Sequence, residues 1–314
     1  MSNQAATFVI LLALMGAGDV VASLRMQVAG EARLADAHVH LSGSGGDGIE
    51  RLVAANITAV RDCGGDFGVL AKWRDEIASG RRRGPRLFLA GPLIDGPKEG
   101  AKWRVTVRTV AEAERAVDDL AALGVDFIKT HNALSQETFL AVVRRANKRG
   151  LRVAAHLPRG VPAWVAAEAG VGSIEHAAES ILASPIYAGF ADDAAAAVQW
   201  WASPAGDAAI RRLAQTGVTV VPTLVRYEAT IQLPDSRAQR DARAALLPQL
   251  IALMGRLHRA GVPLLAGSDL DEVQGADAAS GPAREVQLLE AAGLTHEAAM
   301  AAASPEALVR WFNR

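Results

Sequence analysis

Eight repeats of a short β-rich run followed by a longer helical stretch, from residue 34 onward, predict an α/β chain folded as a (β/α)8 TIM barrel. Two further observations agree. The β-rich runs are dense in Val, Ile, Leu and Ala without strict polar alternation, as strands covered on both faces should be. At 314 residues the chain is long enough for one large barrel, and no linker or low-complexity tract divides it.

The strands are expected at 34–40, 57–62, 86–90, 125–130, 151–156, 172–176, 218–223 and 263–269. Helices are expected between them at 69–79, 109–123, 135–149, 162–169, 207–216 and 242–260, with two more at 282–292 and 295–314. Their ends carry the appropriate punctuation. Glu112 and Glu114 lie in the first turn of the second helix, and Ser135 is a suitable N-cap for the third. Glycines 80, 124, 150, 170, 217 and 261 follow the helices, where a left-handed C-cap is needed before the chain turns into the next strand. The Ala194–Ala197 tract and the pair Trp200-Trp201 fall in the long connection after the sixth strand and read as a helix with its packing face.

Composition excludes several classes of partner. Half of the residues are hydrophobic, 21% are charged and the net charge is −1, so no global field attracts nucleic acid or an anionic membrane. The run Arg81-Arg82-Arg83 reads as the basic exit of a helix before Gly84-Pro85. The expected partner is a small-molecule substrate, with self-association as a homo-oligomer if the barrel exposes apolar surface. Cys63 is the only cysteine, so an intrachain disulfide is impossible and Cys63 reads as a small buried residue. Residues 1–33 precede the barrel domain (34–314). The apolar run Phe8 to Met15 is too short to span a bilayer and no Lys or Arg precedes it. A covering helix in a cytoplasmic protein is expected, with an export signal as the alternative.

The functional signal begins at Asp36-Ala37-His38-Val39-His40. Side chains two apart on a strand share a face, so His38 and His40 project together from the strand end, as two imidazoles on one metal ion would. Later predicted strands end in Lys129, His156, His176 and Asp269. Chemistry in such barrels sits at the C-terminal ends of the strands, and these six residues fall there, on the first, fourth, fifth, sixth and eighth. His38 and His40 suit one divalent ion, His156 and His176 a second, and Asp269 can ligate the first while carrying protons. Lys129 would repel metals as an ammonium. As a carbamate formed with CO2 it could bridge two ions about 3.5–4 Å apart.

Taken together, the stretches Asp36 to Leu41, Ile57 to Asp62, Gly84-Pro85-Arg86, Asp126 to Lys129, Ala155-His156, Ser173 to His176, Val221 to Leu224 and Ala266 to Asp269 resemble the amidohydrolase superfamily. The resemblance is to its imidazolonepropionase-like and prolidase-like binuclear branch, over roughly residues 35 to 312. It implies two divalent ions, zinc by preference, bridged by a carboxylated Lys129 and a hydroxide. The hydroxide attacks the carbonyl of a small amide, such as a dipeptide, an N-acyl amino acid or a cyclic amide. Asp269 takes the proton and delivers it to the leaving amine.

Three departures qualify that expectation. The small β-sandwich domain of the family is expected to be largely absent. His131 stands where many relatives have an aromatic residue, and could touch substrate or compete as a ligand. The segment Gly281-Pro282-Ala283-Arg284-Glu285 lacks the histidine often found after the eighth strand. Arg61 and Asp62 are expected to form an ion pair that orients ligands or equally one that only adds stability, and Tyr227 to pack or reach substrate. The glycine-rich stretch 43–48 reads as a lip over the site, since no Lys-Ser/Thr of a phosphate loop follows. Two other functions fit the same residues: a lactonase or phosphotriesterase using the same metals, and a barrel that binds ligand without catalysis.

Overall fold

The computed structural model describes residues 33–43, 47–98, 102–270, 277 and 280–313. The N-terminal apolar run, the middle of the glycine-rich lip and most of the loop after the predicted eighth strand lie outside the described residues. The compact unit Leu34–Arg314 is a mixed α/β fold with two parallel sheets. The first holds β1 (Leu34–Val39), β2 (Ile57–Asp62) and β3 (Arg86–Leu89) in that order. The second holds β4 (Leu93–Asp95), β5 (Arg104–Thr106), β6 (Ile128–Thr130), β7 (Val153–Ala155), β8 (Ser173–Glu175) and β9 (Thr219–Val221) in the order β5-β4-β6-β7-β8-β9.

Backbone hydrogen bonds continue beyond the strands. Asp126 N–H donates to Leu89 O at 2.8 Å, joining β3 to the approach of β6. Leu265 N–H donates to Val220 O at 3.0 Å, and Ala37 N–H to Ala266 O at 2.9 Å, so the segment 264–269 lies between β9 and β1. That segment differs from the expected eighth strand. Its one strand-type pairing is the bridge Val220↔Leu264. Asp269 ends it with φ +52°, a left-handed backbone that no strand can contain.

β4 and β5 have no counterpart among the expected strands. They are three residues each. The expected C-terminal helix is two, His296–Ala302 and Pro305–Phe312, because Ser304 caps the second and Pro305 cannot continue the first. Elsewhere the sequence punctuation operates as expected. Thr109 and Ser135 accept the backbone N–H groups of Glu112 and Thr138, and Gly124 ends its helix at φ +86°.

The register sets the site. Pairings Lys129↔Ala154, Ala155↔Ile174 and Glu175↔Val221 bring the C-terminal ends of β6 to β9 to one rim. Beneath it Phe127 meets Trp311 edge-on at 5.8 Å, and Phe88 stacks on Phe312 at 4.3 Å. Both partners come from the helix Pro305–Phe312, which covers apolar surface at the other end of the strands.

Candidate metal centre

β1 carries His38 to the rim, and His40 follows immediately after the strand. Their rings lie 5.4 Å apart. Each has its Nδ1 committed. His38 Nδ1 is 2.7 Å from Glu175 Oε2, and His40 Nδ1 is 2.9 Å from the carbonyl of Gly64. Burial favours neutral Glu175, but the Arg61 guanidinium and the His38 bond overcome it and hold the acid down to about 2. Glu175 is therefore an acceptor only, as Gly64 O is, and both imidazoles donate from Nδ1. In the neutral ring this leaves the Nε2 lone pair facing the site. Burial, against the raising effect of Glu175, lowers His38 to about 3, so the ring is neutral at pH 7.

Both Nε2 atoms converge on Asp269 Oδ1, at 3.7 Å from His38 and 3.5 Å from His40. His38 Nε2 is buried and hydrogen-bonded to nothing among the described residues. Lone pairs aimed at a carboxylate oxygen repel unless a cation stands between them. Ligands at about 2.0–2.2 Å from a tetrahedral zinc lie about 3.3 Å from one another, close to the spacing found. These donors therefore fit a divalent ion.

His176 follows β8 directly, with φ +70°, and lies against Thr223 Oγ1 (3.0 Å) and Asp269 Oδ2 (3.6 Å). Its ring is 4.8 Å from His38 and 4.7 Å from His156. Ligand atoms of His38, His176 and Asp269 all fall within 4.8 Å of one another. Desolvation holds His156 and His176 well below the usual histidine range, and the Lys129 charge pushes both the same way. Lys129, 1% exposed, sits among these rings with Nζ 3.4 Å from Thr130 O. All six residues named from the sequence thus share one rim. His176, Thr223 and Asp269 all adopt left-handed backbone there, a costly conformation that the surrounding bonds maintain.

One expectation is corrected. The sequence pairs Arg61 with Asp62, but neighbours on a strand point to opposite faces. Arg61 instead turns inward, fully buried, and donates Nη2 to both oxygens of Glu175 at 2.8 Å, Nη1 to Ser173 Oγ at 2.9 Å and Nε to Ala37 O at 2.6 Å. Asp62 accepts the N–H groups of Leu41 and Gly64. It shapes the turn that carries His40. His131 tilts against His156 at 4.5 Å and lies 3.4 Å from Asp95 Oδ2, at the edge of the centre. Tyr227 lies near the charges of Glu179 and Arg243, half-buried. Cys63 is held as a thiol by burial, which pushes it up.

The sequence assigned no role to Glu175, Asp36 or Arg226. Asp36 accepts from the N–H of His38 (3.0 Å) and of Ser268 (2.8 Å), clamping the segments of His38 and Asp269 together. Arg226 reaches Asp269 Oδ2 with Nε at 2.8 Å. For Glu175 a signal existed, since a buried acid beside a rim histidine needs a partner. For Arg226 there was none.

No family model and no curated protein matches the chain. Solved structures do. A Xaa-Pro dipeptidase with bound methionine is 22% identical at TM-score 0.66, over 90% of this chain and 76% of that one. Bottromycin amidohydrolase is 23% identical at TM-score 0.65, over 89% and 67%. Ochratoxinase of A. niger is 19% identical at TM-score 0.62, over 87% and 69%. This chain shares the fold of these solved structures. At these identities the amidohydrolase likeness is one of architecture, and the chemistry must be argued from the rim itself.

Proposed function

We propose that this protein is a metal-dependent amidohydrolase that cleaves the C–N bond of a small amide at the rim of a closed (β/α)8 barrel. The convergence of two Nε2 lone pairs on Asp269 Oδ1 carries the reading. These are donor types that suit a divalent cation. The similar Xaa-Pro dipeptidase and bottromycin amidohydrolase support an amide as the bond acted upon.

His38, His40 and Asp269 would hold one ion. His156, His176 and a Lys129 carboxylated by CO2 would hold a second. Ions bound there supply Lewis-acid polarisation of the amide carbonyl and an acidified water near neutral pH. The protein supplies the rest. Glu175 and Gly64 O fix the tautomers that aim Nε2 inward. Asp269 takes a proton from the attacking water and returns it to the departing amine nitrogen, so atoms balance without a covalent enzyme intermediate.

Metal analysis of the purified full chain, before and after incubation with zinc and bicarbonate, tests this together with assays on dipeptides, N-acyl amino acids and cyclic amides. The expected result is bound zinc and turnover of at least one amide class. A protein that takes up no transition metal, or a zinc-loaded one that opens lactones but no amide, overturns it.

A further inference from the structure

A pocket of about 130 Å3 opens against His40, lined also by Gly64, Leu93, Lys102, Trp103 and Arg104. His40 thus serves two neighbours. Its Nε2 faces Asp269 Oδ1 at 3.5 Å, and its side chain forms one wall of the pocket. A group held in the pocket therefore lies beside the proposed ion site. Gly64 keeps the space open. A Cβ there would stand 2.7 Å from Leu93 Cδ2 and 3.5 Å from His40 Cε1.

Trp103 is the unusual wall. Its backbone is left-handed, at φ +53°, a conformation that bulky residues rarely adopt and glycine takes freely. Two contacts hold it there. Trp103 O accepts the N–H of Leu93 at 3.0 Å, and the next residue, Arg104, pairs with Leu93 across the sheet. The indole is 38% exposed and makes no ring contact or side-chain hydrogen bond among the described residues. An indole left partly open, on backbone that glycine would hold at less cost, points to a ligand that the ring meets.

Size and charge define that ligand. A cavity of about 150 Å3 lined by apolar side chains holds one benzene ring, so 130 Å3 against Leu93 and Trp103 suits a single aromatic ring. The indole offers such a ring a face to stack on. The charges are all of one sign. Arg104 pairs with Asp95 Oδ2 at 2.5 Å, Lys102 makes no ion pair among the described residues, and no carboxylate is among the lining residues. A basic group entering here is repelled.

We propose that this pocket is a specificity subsite for one uncharged aromatic ring carried next to the scissile amide. Trp103 is its specificity-determining wall, and Lys102 turns basic groups away. The inference rests on the amidohydrolase reading above and narrows its substrates to aromatic amides, such as a dipeptide containing phenylalanine or an N-benzoyl amino acid.

Fluorine NMR of 4-fluorophenylacetamide with the full chain tests it, with zinc and again with chelator, because the pocket walls are protein groups. Unlabelled phenylacetamide should displace the probe at least about tenfold more effectively than acetamide, since only the former buries a ring. The basic 4-(aminomethyl)phenylacetamide should compete about two- to fivefold less well than phenylacetamide, as one exposed charge predicts, and the gap should close in high salt. Trp103→Ala should bring phenylacetamide within about threefold of acetamide, and Trp103→Phe should keep most of the preference. Lys102→Glu should favour the basic competitor. Equal displacement by phenylacetamide and acetamide, a ring preference that survives Trp103→Ala, a basic competitor indifferent to Lys102→Glu, or no binding of the fluorinated probe overturns the proposal. Failures of the two readings are distinguishable. Trp103-dependent ring binding without cleavage of any amide sinks the hydrolase and spares the subsite. Cleavage of acetyl and phenylacetyl amides alike, unaffected by Trp103→Ala, does the reverse.

Discussion

Glu175 Oε2 lies 2.7 Å from His38 Nδ1, 137 residues away in the chain, while Arg61 grips both oxygens of the same carboxylate from the other side. This contact decides which nitrogen of His38 faces the site. Glu175→Gln can present its NH2 to Nδ1, which makes Nδ1 the acceptor and puts the ring proton on Nε2. Zinc affinity should fall about 10–100-fold, the range seen when an orienting partner of a ligand histidine is lost. Competition with a chromophoric chelator measures it, and unchanged affinity would show that Glu175 does not set the tautomer.

Arg61 should be worth more to stability than any exposed ion pair. It is fully buried, and its charge is the chief force that keeps Glu175 ionised in the interior. Its guanidinium also sits 4.5 Å over Trp311. Arg61→Ala strands a buried carboxylate and should cost about 3–5 kcal/mol, read as a lowered urea midpoint.

Asp269→Asn separates proton transfer from metal binding. The amide keeps an oxygen for the ion but accepts no proton, so turnover should drop by about 10²–10⁴-fold while most of the zinc remains. Full activity in this variant would remove Asp269 from the proton path.

Gly267 is required by a close approach. A Cβ there would fall 2.6 Å from Val221 Cγ1 and 2.9 Å from His38 Cβ, both in well-packed surroundings. Gly267→Ala should therefore destabilise by about 1–3 kcal/mol and weaken zinc binding by displacing His38. Thermal melts with and without the metal separate the two effects.

Acid should unfold the metal-free protein early. His38 is depressed to about 3, and His156 and His176 also lie well below their unfolded value of 6.5. Below pH 6.5 the unfolded chain binds protons that the folded chain refuses, so stability is full above that pH and falls as pH drops. Each histidine removes about 1.4 kcal/mol per pH unit in that window. Urea midpoints at pH 7.5, 6 and 5, with chelator present, should decline steadily. A flat series would mean that the rings protonate freely in the folded state.

Much of this was legible in the chain itself. Alternating β-rich and helical runs, glycine C-caps and the serine and threonine N-caps located most elements, since each is a short-range signal set by backbone sterics and local hydrogen bonds. The six metal-site candidates were legible because strand ends are. The segment 264–269 was misread as a regular strand. Its apolar residues carry a strand pattern, but the bonds of Ala266 and Asp269 to β1 bend it into left-handed backbone at its end.

The sequence by itself determined which residue types reach the rim, because side-chain direction on a strand repeats every two residues whatever surrounds it. The tertiary structure alone decided their partners. Arg61 meets Glu175 rather than its neighbour Asp62, Asp36 ties His38 to Ser268, and Arg226 faces Asp269, each across a wide gap in the chain. Those pairings depend on strand register and on which segments lie side by side. Both are fixed by burying apolar surface over the whole unit, which no local pattern of residues encodes.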